Sequence, residues 1–362
     1  MYYMANMTKT DLVKKNISDE IRYGILAEDE KISTEAELIE KYNVSRVTVR
    51  RALAELFREK VIYKKPSKKG YFVRAGQTRQ DRRLHRSIGV LIHYNLEKSH
   101  PFMHRFLTSA SKQCGEDNIG HQIFNLCNNN RKSVPDETAQ VLAVLKEHPV
   151  DGLLINCRLT DETLQKLEKI NVPVVLVNSF LPGSEIPHII SGYRAIGMAV
   201  EHLHQTGHDS IAFITGPQDE RIVHETIWDF QNTCKALSLP YGNALIKEGA
   251  YDAEKVKKGI EELLSLKPPP TAVIIDDDIM ACHAIKFCAD RGLKIPGDVG
   301  ILGIGGIEMG EFLTPALTTV NLPIEKAAGI GIEMLAKLIM GKKLAQKYVL
   351  LKGELIIRKS CE

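Results

Sequence analysis

The chain has 362 residues, 44% of them hydrophobic, and can therefore bury the cores of more than one domain. No apolar run reaches the roughly 18 residues that cross a membrane, and the amino-terminal segment lacks the apolar stretch of a signal peptide. The seven cysteines form no C-x-x-C pair, which is typical of reduced thiols. We expect a cytoplasmic protein with no membrane partner.

Positive charge is concentrated at one end of the chain. Residues 1–86 carry 20 Lys and Arg against 12 Asp and Glu, whereas residues 87–362 carry 28 against 33. A basic segment on a slightly acidic body favours contact with a polyanion. A solvated lysine-rich surface is the alternative that charge alone leaves open.

The first elements predicted along the chain are two helices. A helix that ends near Gly24 is predicted from the apolar spacing at positions 13, 17, 21 and 25. In "STEAELIEKYN", Ser33 or Thr34 can cap a second helix, and Glu37 is placed to complete a capping box. The two helices begin a small amino-terminal domain.

A third helix is predicted from "SRVTVRRALAEL", which Ser45 can cap after a tight turn at Asn43. One buried helix face is formed by Val49, Ala52, Leu53 and Leu56. Arg46, Arg50 and Arg51 lie off that face, near the positive end of the helix dipole, where acidic residues are normally preferred. Phosphates or a guanine edge would account for these arginines. We therefore predict a helix-turn-helix whose third helix is the DNA recognition helix.

The segment "VIYKKPSKKGYFVR" predicts a β-hairpin with a basic tip. Two β-prone runs, 61–63 and 71–73, flank a turn-rich stretch that contains Lys68, Lys69 and Gly70. Directly after a helix-turn-helix, such a hairpin is a wing that can contact the DNA backbone. For the third helix, an ordinary amphipathic surface helix is the alternative.

Residues 8–75 resemble the winged-helix domain of the GntR family of bacterial transcription regulators, and the core "VSR-x-TVR-x-AL" carries the likeness. The resemblance implies DNA contacts by the serine, the two arginines and the threonine of that core. The residues predicted to contact DNA are Thr34, Ser45, Arg46, Thr48, Arg50, Arg51, Lys68, Lys69 and Gly70. The chain departs from the family at Ala36, where many members carry an arginine, and at Lys68, where the wing usually has a glycine. Base preference is therefore expected to differ.

Beyond a polar linker at 77–86, apolar runs alternate with helical segments. The runs lie at 87–93, 121–126, 152–156, 172–178, 210–216, 271–276 and 299–305. The helical segments include 136–147, 194–206, 253–266 and 278–291. This alternation predicts parallel sheets covered by helices on both faces, with ligands at the carboxyl ends of the strands.

The body, residues 87–362, resembles the LacI/GalR sensor domain, itself similar to periplasmic sugar-binding proteins. The markers include "VDGLLIN", "VPVVLVN", "HLHQTGHDSIAFITGP" and "TPALTTV". The resemblance implies an α/β, type I periplasmic-binding-protein-like fold with two hinged subdomains and homodimerisation. A winged helix-turn-helix at 1–76 on such a body is the arrangement of the arabinose-repressor group. The linker "QTRQDRRLHR" lacks the apolar positions of a minor-groove hinge helix.

The pocket residues implied by this resemblance transfer only in part. Asn178 and Asp277 match the polar residues that close two strands. Thr226 stands where a sugar-gripping arginine is usual, and Gly305 and Gly192 stand where aspartates are common, which argues against a conventional hexose or pentose. As replacements we nominate His93, Tyr94, Phe102 and Trp228. Plain core packing for the tryptophan, and an ordinary satisfied polar role for the histidine, are the alternatives.

The sequence thus predicts a transcriptional repressor that binds a palindromic double-stranded operator as a homodimer and responds to a sugar or sugar-like small molecule. A regulator with a degenerate pocket, controlled by a protein partner or by no ligand, is the alternative. An enzyme is disfavoured, because "GIGGIEMG" lacks dinucleotide-binding spacing and follows a late strand. The carboxylates of residues 276–278 are expected to point in different directions, so we predict no metal and no cofactor.

Overall fold

The structure is a computed structural model that describes residues 8–22, 26–66, 69–74, 87–92, 101–126, 137–148, 150–157, 159–170 and 172–362. The linker at 77–86 lies outside the described residues, as does Gly24, the predicted end of the first helix. Among the described residues, no helix combines the length and apolar character needed to cross a membrane.

The amino-terminal part contains three helices and a two-stranded hairpin. They are α1 (Lys9–Arg22), α2 (Glu35–Tyr42), α3 (Arg46–Arg58), β1 (Ile62–Tyr63) and β2 (Phe72–Val73). The strands β1 and β2 pair antiparallel, which confirms the predicted hairpin. The elements share one apolar core, to which α3 contributes Val49, Ala52, Leu53 and Leu56.

The predicted caps are present at the start of α2 and at both ends of the turn between α2 and α3. Thr34 accepts from the backbone N–H of Glu37, whose carboxylate accepts from the N–H of Thr34, so the capping box is complete. Asn43 closes α2 in the left-handed region, with φ 47° and ψ 53°. Ser45 then caps α3 by accepting from the N–H of Thr48 at 3.2 Å. Local side-chain hydrogen bonds therefore fix where the recognition helix begins.

The first subdomain of the body alternates strands and helices. Its elements are β3 (Ser87–Ile92), α4 (Pro101–Glu116), β4 (Gly120–Asn125), α5 (Glu137–Glu147), β5 (Gly152–Asn156), α6 (Asp161–Glu168), β6 (Val174–Val177) and β7 (His188–Tyr193). We call it the N-subdomain. Its core has one layer on each face of the sheet, as predicted for helices on both sides.

The second subdomain repeats this architecture. Its elements are α7 (Ala195–Gln205), β8 (Ile211–Thr215), α8 (Arg221–Ala236), β9 (Ile246–Glu248), α9 (Ala253–Leu264), β10 (Ala272–Ile275), α10 (Asp278–Asp290), β11 (Gly300–Gly305) and β12 (Thr318–Asn321). Short 3₁₀ turns lie at Asn243–Leu245 and Glu308–Phe312. We call it the C-subdomain. Apolar layers cover both faces of its sheet.

The last elements return to both sheets. They are α11 (Ile324–Ile339), β13 (Tyr348–Lys352) and β14 (Glu354–Ile356). The strand orders are β13-β7-β6-β5-β3-β4, with every pair parallel, and β14-β12-β11-β10-β8-β9, in which only β12 and β14 pair antiparallel.

The chain crosses between the subdomains after β7, after β12 and after β13, each time from the carboxyl end of a strand. The carboxyl ends of the two sheets therefore flank a cleft. The three crossings form the hinge along one side of this cleft. This is the fold class expected from the sequence. The seven apolar runs correspond to β3, β4, β5, β6, β8, β10 and β11, whereas β7, β9 and β12–β14 were not predicted.

Candidate DNA-binding and effector-binding sites

The recognition helix α3 presents its arginines to solvent. Arg46, Arg50 and Arg51 are exposed, and the side chains of Arg50 and Arg51 are 63% and 75% exposed. The opposite face of the helix is buried in the amino-terminal core. The predicted polyanion-binding residues therefore project from one surface of a helix held by its apolar residues.

Arg50 is held by a residue that the sequence analysis missed. Its Nε donates to both carboxylate oxygens of Glu35, at 2.9 and 3.2 Å. Glu35 is the first residue of α2, so the contact links the two helices of the helix-turn-helix. The contact engages Nε, and the guanidinium carries two further nitrogens, Nη1 and Nη2, that can donate to a guanine edge or to phosphates. Glu35 and Arg50 are 15 residues apart, and no sequence signal pairs them before the two helices cross.

Ser45 and Thr48 share a hydrogen bond at the start of α3. Their hydroxyl oxygens are 2.9 Å apart, in addition to the capping bond described above. Both therefore lie at the start of α3, beside Arg46. Val47 lies in the same turn and is 75% exposed, which is unusual for a valine between polar residues.

Two of the wing residues predicted to contact DNA, Lys69 and Gly70, lie at the surface. Lys69 is exposed, and Gly70 has a φ of 115°, which only glycine adopts readily. Lys68 lies outside the described residues. Two further lysines were not predicted: Lys64 lies 4.9 Å from the ring centre of Tyr71, and Lys65 lies 4.7 Å from that of Phe72. The aromatic rings of the wing thus support a basic surface.

Asn178 lies at the predicted position, directly after β6 at the cleft. Its Oδ1 accepts from the N–H of Ser191 at 2.8 Å and from the hydroxyl of Ser191 at 2.9 Å. The carbonyl oxygen therefore ties the ends of β6 and β7 together. Only the amide Nδ2 remains to bind a ligand.

Asp277 lies at the carboxyl end of β10 and caps α10 by accepting from the N–H of Met280 at 2.8 Å. Beside it, burial and, to a smaller extent, the carboxylates of Asp277 and Glu220 raise the pKa of Asp276 to about 7, against a backbone hydrogen bond that lowers it. Burial, followed by the carboxylates of Asp276, Glu220 and Asp277, raises the pKa of Tyr251. The C-subdomain wall of the cleft is therefore acidic.

Asp278 is only 1% exposed and turns away from Asp277. Its carboxylate accepts from the N–H of Ile307 at 2.8 Å and from the hydroxyl of Thr319 at 2.7 Å. Burial raises its pKa to about 6, against these hydrogen bonds. Consecutive aspartates thus have separate partners.

Of the other nominated pocket residues, the structure describes Phe102 and Trp228. His93 and Tyr94 lie outside the described residues. Phe102 is half-buried and packs against the core of the N-subdomain. Trp228 is 64% exposed on α8, so the alternative of core packing is wrong for it.

Arg221, a residue the sequence analysis did not nominate, bridges the subdomains at the mouth of the cleft. It begins α8 in the C-subdomain and donates to the carboxylate of Asp161, which begins α6 in the N-subdomain. Its guanidinium also lies 5.9 Å from the ring centre of Phe180, which follows β6. The described structure is therefore a closed arrangement of the two subdomains.

Comparisons with known proteins agree with this two-part architecture. Residues 9–73 match the model described as bacterial regulatory proteins, gntR family, and residues 200–361 match the periplasmic binding protein-like domain. The transcriptional repressor PurR of Aliivibrio salmonicida is 30% identical over 281 residues, which are 76% of this chain and 81% of that repressor.

Solved structures extend the likeness to three dimensions. A regulatory protein of the LacI family from Chloroflexus aggregans is 26% identical, with a TM-score of 0.67 over 76% of this chain and 99% of that one. The lac repressor dimer bound to its operator and an anti-inducer is 22% identical, with a TM-score of 0.67 over 76% and 93% of the two chains. This second likeness shows the fold alone.

Proposed function

Since this chain belongs to the LacI family of transcriptional repressors and carries a DNA-binding domain of the GntR family, we propose that it represses transcription by binding a palindromic operator as a homodimer. The observation that carries the proposal is the recognition helix, which projects Arg46, Arg50 and Arg51 beside a basic wing. Arginine in this position reads guanine edges and neutralises phosphates.

Operator binding tests this proposal directly. An operator is selected from random duplexes with the full-length protein, and Arg46→Ala and Arg50→Ala are titrated against it in gel shifts. Arg50→Ala should weaken binding by roughly 1–3 kcal/mol if the arginine reads a guanine. Arg291→Ala is the matched control, because Arg291 is an exposed C-subdomain residue paired with Glu261. Unchanged operator affinity in both recognition-helix variants would contradict the proposal.

Dimerisation is supported by an exposed apolar patch on the C-subdomain. Phe312 is 82% exposed and Met309 is 60% exposed, both in the 3₁₀ turn after β11. Large apolar side chains of neighbouring residues seldom remain in water unless they bind a partner. The lac repressor of similar fold was solved as a dimer on its operator. We propose that this patch lies in the dimer interface.

The effector is proposed to bind in the cleft, between Asn178 and the acidic wall at Asp276 and Asp277. Hydroxyl or amino groups are the ligand chemistry that such acceptors favour. The alternative, a regulator without a small-molecule effector, is favoured by the internal hydrogen bonds that occupy Asn178 Oδ1 and Asp277. A thermal-shift screen of sugars, amino sugars, nucleosides and amines separates the two, because a compound that binds the folded protein raises its melting temperature, and Asp277→Ala should abolish the shift if the compound binds in the cleft.

A further inference from the structure

Arg105 extends from α4 of the N-subdomain and ends among acceptors outside its own helix. Its Nη1 donates to the carbonyl of Gly305 at 2.8 Å, and its Nη2 donates to Asn321 Oδ1 at 2.9 Å and to the carbonyl of Leu322 at 3.1 Å. Nε and Nη2 also donate to the two carboxylate oxygens of Glu325. The guanidinium is thus satisfied on all three nitrogens, and its side chain is only 22% exposed.

These acceptors lie at the hinge side of the cleft and belong mainly to the other subdomain. Gly305 closes β11 and Asn321 closes β12, both in the C-subdomain sheet. Leu322 lies in the crossing that follows, and Glu325 lies in the first turn of α11. One guanidinium therefore fastens α4 to the carboxyl edge of the opposite sheet.

The glycines at 305 and 306 belong to the same arrangement. Their φ angles are 142° and 74°, so the backbone has a conformation that other residues resist. A Cβ on Gly306 would lie 2.3 Å from Asn321 Oδ1, the atom that accepts from Arg105. A side chain at this position would displace an acceptor of the guanidinium. The aspartate expected from the family resemblance falls on the neighbouring Gly305, where the φ of 142° disfavours any side chain and a Cβ would lie 3.3 Å from Asp278 Oδ2.

The charge of the Arg105 guanidinium is balanced where it is bound. Glu325 is the carboxylate partner, and its pKa is lowered because, against the effect of burial, the hydrogen bonds and charge of Arg105 stabilise its ionised form. The remaining acceptors are neutral carbonyl oxygens, so the site carries one negative charge to match one positive charge. Such a charge-assisted, multiply bonded pair is stronger than an exposed ion pair.

We propose that Arg105 acts as an internal ligand of the effector-binding body: its guanidinium fills a receptor site formed by the carboxyl edge of the C-subdomain sheet and by Glu325 of α11, and holds the cleft closed without an effector. The receptor site is specific for a planar guanidinium, because its acceptors surround three nitrogens. In a protein that lacks the Arg105 side chain, a free guanidinium ion should occupy the same place and close the cleft again.

The cleft opening of the full-length protein measures this directly. Spin labels are attached through unnatural amino acids at Glu162 on α6 and Glu225 on α8, two exposed positions close to the bridging pair Asp161 and Arg221. Pulsed dipolar spectroscopy then reports the distance between the subdomains without DNA and without effector. The result is independent of operator binding, so its failure leaves the proposed repressor function untouched.

The wild-type protein should give one short distance. Arg105→Ala should shift the distribution to longer values, and guanidinium chloride at millimolar concentration, far below the molar range that unfolds proteins, should restore the short distance, whereas sodium chloride should not. Arg105→Lys should open the cleft in part and ignore guanidinium, because the ammonium group remains in the site.

Two further variants complete the test. Arg291→Ala, which removes an arginine paired within the C-subdomain, should leave the distance unchanged. Glu325→Gln keeps the side-chain shape but removes the charge, and should also lengthen the distance, which keeps the proposal testable if Arg105→Ala does not fold. A wild-type distance in both Arg105→Lys and Glu325→Gln, or recovery of Arg105→Ala by sodium chloride equal to that by guanidinium, would overturn the proposal.

Discussion

Val47 is an apolar side chain on the outer surface of the recognition helix, where 75% of it is exposed. It lies in the first turn, between two residues predicted to contact DNA. In the major groove, the group that offers an apolar side chain a favourable contact is the C5-methyl of thymine. We therefore expect Val47 to read a thymine in each half-site, which complements guanine recognition by Arg46 or Arg50.

The expectation is tested by truncating each of the two partners in turn. Val47→Ala removes both γ-methyl groups and should weaken operator binding by roughly 1–2 kcal/mol, at about 0.8 kcal/mol for each buried CH₂. Replacing the contacted thymine by uracil should weaken wild-type binding similarly, and the two changes together should cost little more than either alone. Fully additive losses at every thymine of the operator would show that Val47 contacts none of them.

For the removal of Glu35 we predict a change in operator affinity that is opposite in sign to the one expected from simple electrostatics. Removing a carboxylate near DNA should strengthen binding, because it repels phosphates. Glu35→Ala also frees Arg50, however, and we expect the loss of orientation to dominate, with operator affinity falling about fivefold, or roughly 1 kcal/mol. Glu40→Ala on the same helix removes an equal charge without touching Arg50, and gel shifts should show unchanged or tighter binding for it. Tighter binding by both variants would assign Glu35 no positioning role.

At the scale of single elements, the junction between β10 and α10 contains a titratable group, Asp278. Its pKa in the folded protein is about 6, against 3.8 for an ordinary aspartate, so the folded state binds more protons between these values. Stability should therefore fall as pH rises through this window and be constant above it. The loss attributable to Asp278 is on the order of 3 kcal/mol.

Asp278→Asn removes this titration while keeping the shape of the side chain. The melting temperature of the wild type should decrease relative to that of the variant between about pH 4 and pH 6, at constant ionic strength. Asp276, whose pKa is raised in the same direction, is present in both proteins and cancels in the difference. If the melting temperatures of the two proteins change in parallel with pH over this range, Asp278 does not take up a proton on folding.

Elements with local signals were predictable from the sequence, and those defined by distant partners were not. The helix-turn-helix was predicted with its caps because Thr34, Asn43 and Ser45 act on their own helix ends. The central strands were predicted because both faces are buried and the sequence is continuously apolar. The short strand β12 reads "TTVN" and forms no such run. The edge strand β13 does read "YVLLK", but its residues are mostly exposed or half-buried, unlike those of a central strand.

The same distinction explains the candidate sites. Exposed arginines on an amphipathic helix are visible in the sequence, whereas Glu35 becomes a partner of Arg50 only when α2 and α3 cross. Arg105 lies 200 residues from Gly305 and 220 from Glu325, and no spacing rule connects them. Trp228 was nominated for its chemistry, but its exposure depends on which face of α8 packs against the sheet.

At the scale of the whole molecule, operator affinity should depend on dimerisation through the patch at Met309 and Phe312. Phe312→Glu places a charge in the proposed interface and should shift the protein to monomer in sedimentation velocity. The two DNA-binding domains of a dimer are tethered to each other, so that binding of one raises the effective concentration of the other at the operator. Loss of this effect should lower operator affinity by about 100-fold, the lower end of the range for linked binding domains. Met340→Glu, at a 54% exposed position after α11, is the control and should remain dimeric. A dimeric Phe312→Glu protein with full affinity would place the interface elsewhere.

The path of the chain also determines the order in which the molecule can assemble during its synthesis. The core of the N-subdomain includes α11, which packs against α4, and its sheet is completed by β13. Both follow the entire C-subdomain sheet up to β12. A ribosome-bound nascent chain therefore exposes the apolar face of the N-subdomain sheet until residues beyond 339 have emerged, whereas residues 8–74 already have their complete core. The amino-terminal DNA-binding domain is thus able to fold long before the effector-binding body that controls it. We expect chaperones to be needed by the body rather than by the amino-terminal domain.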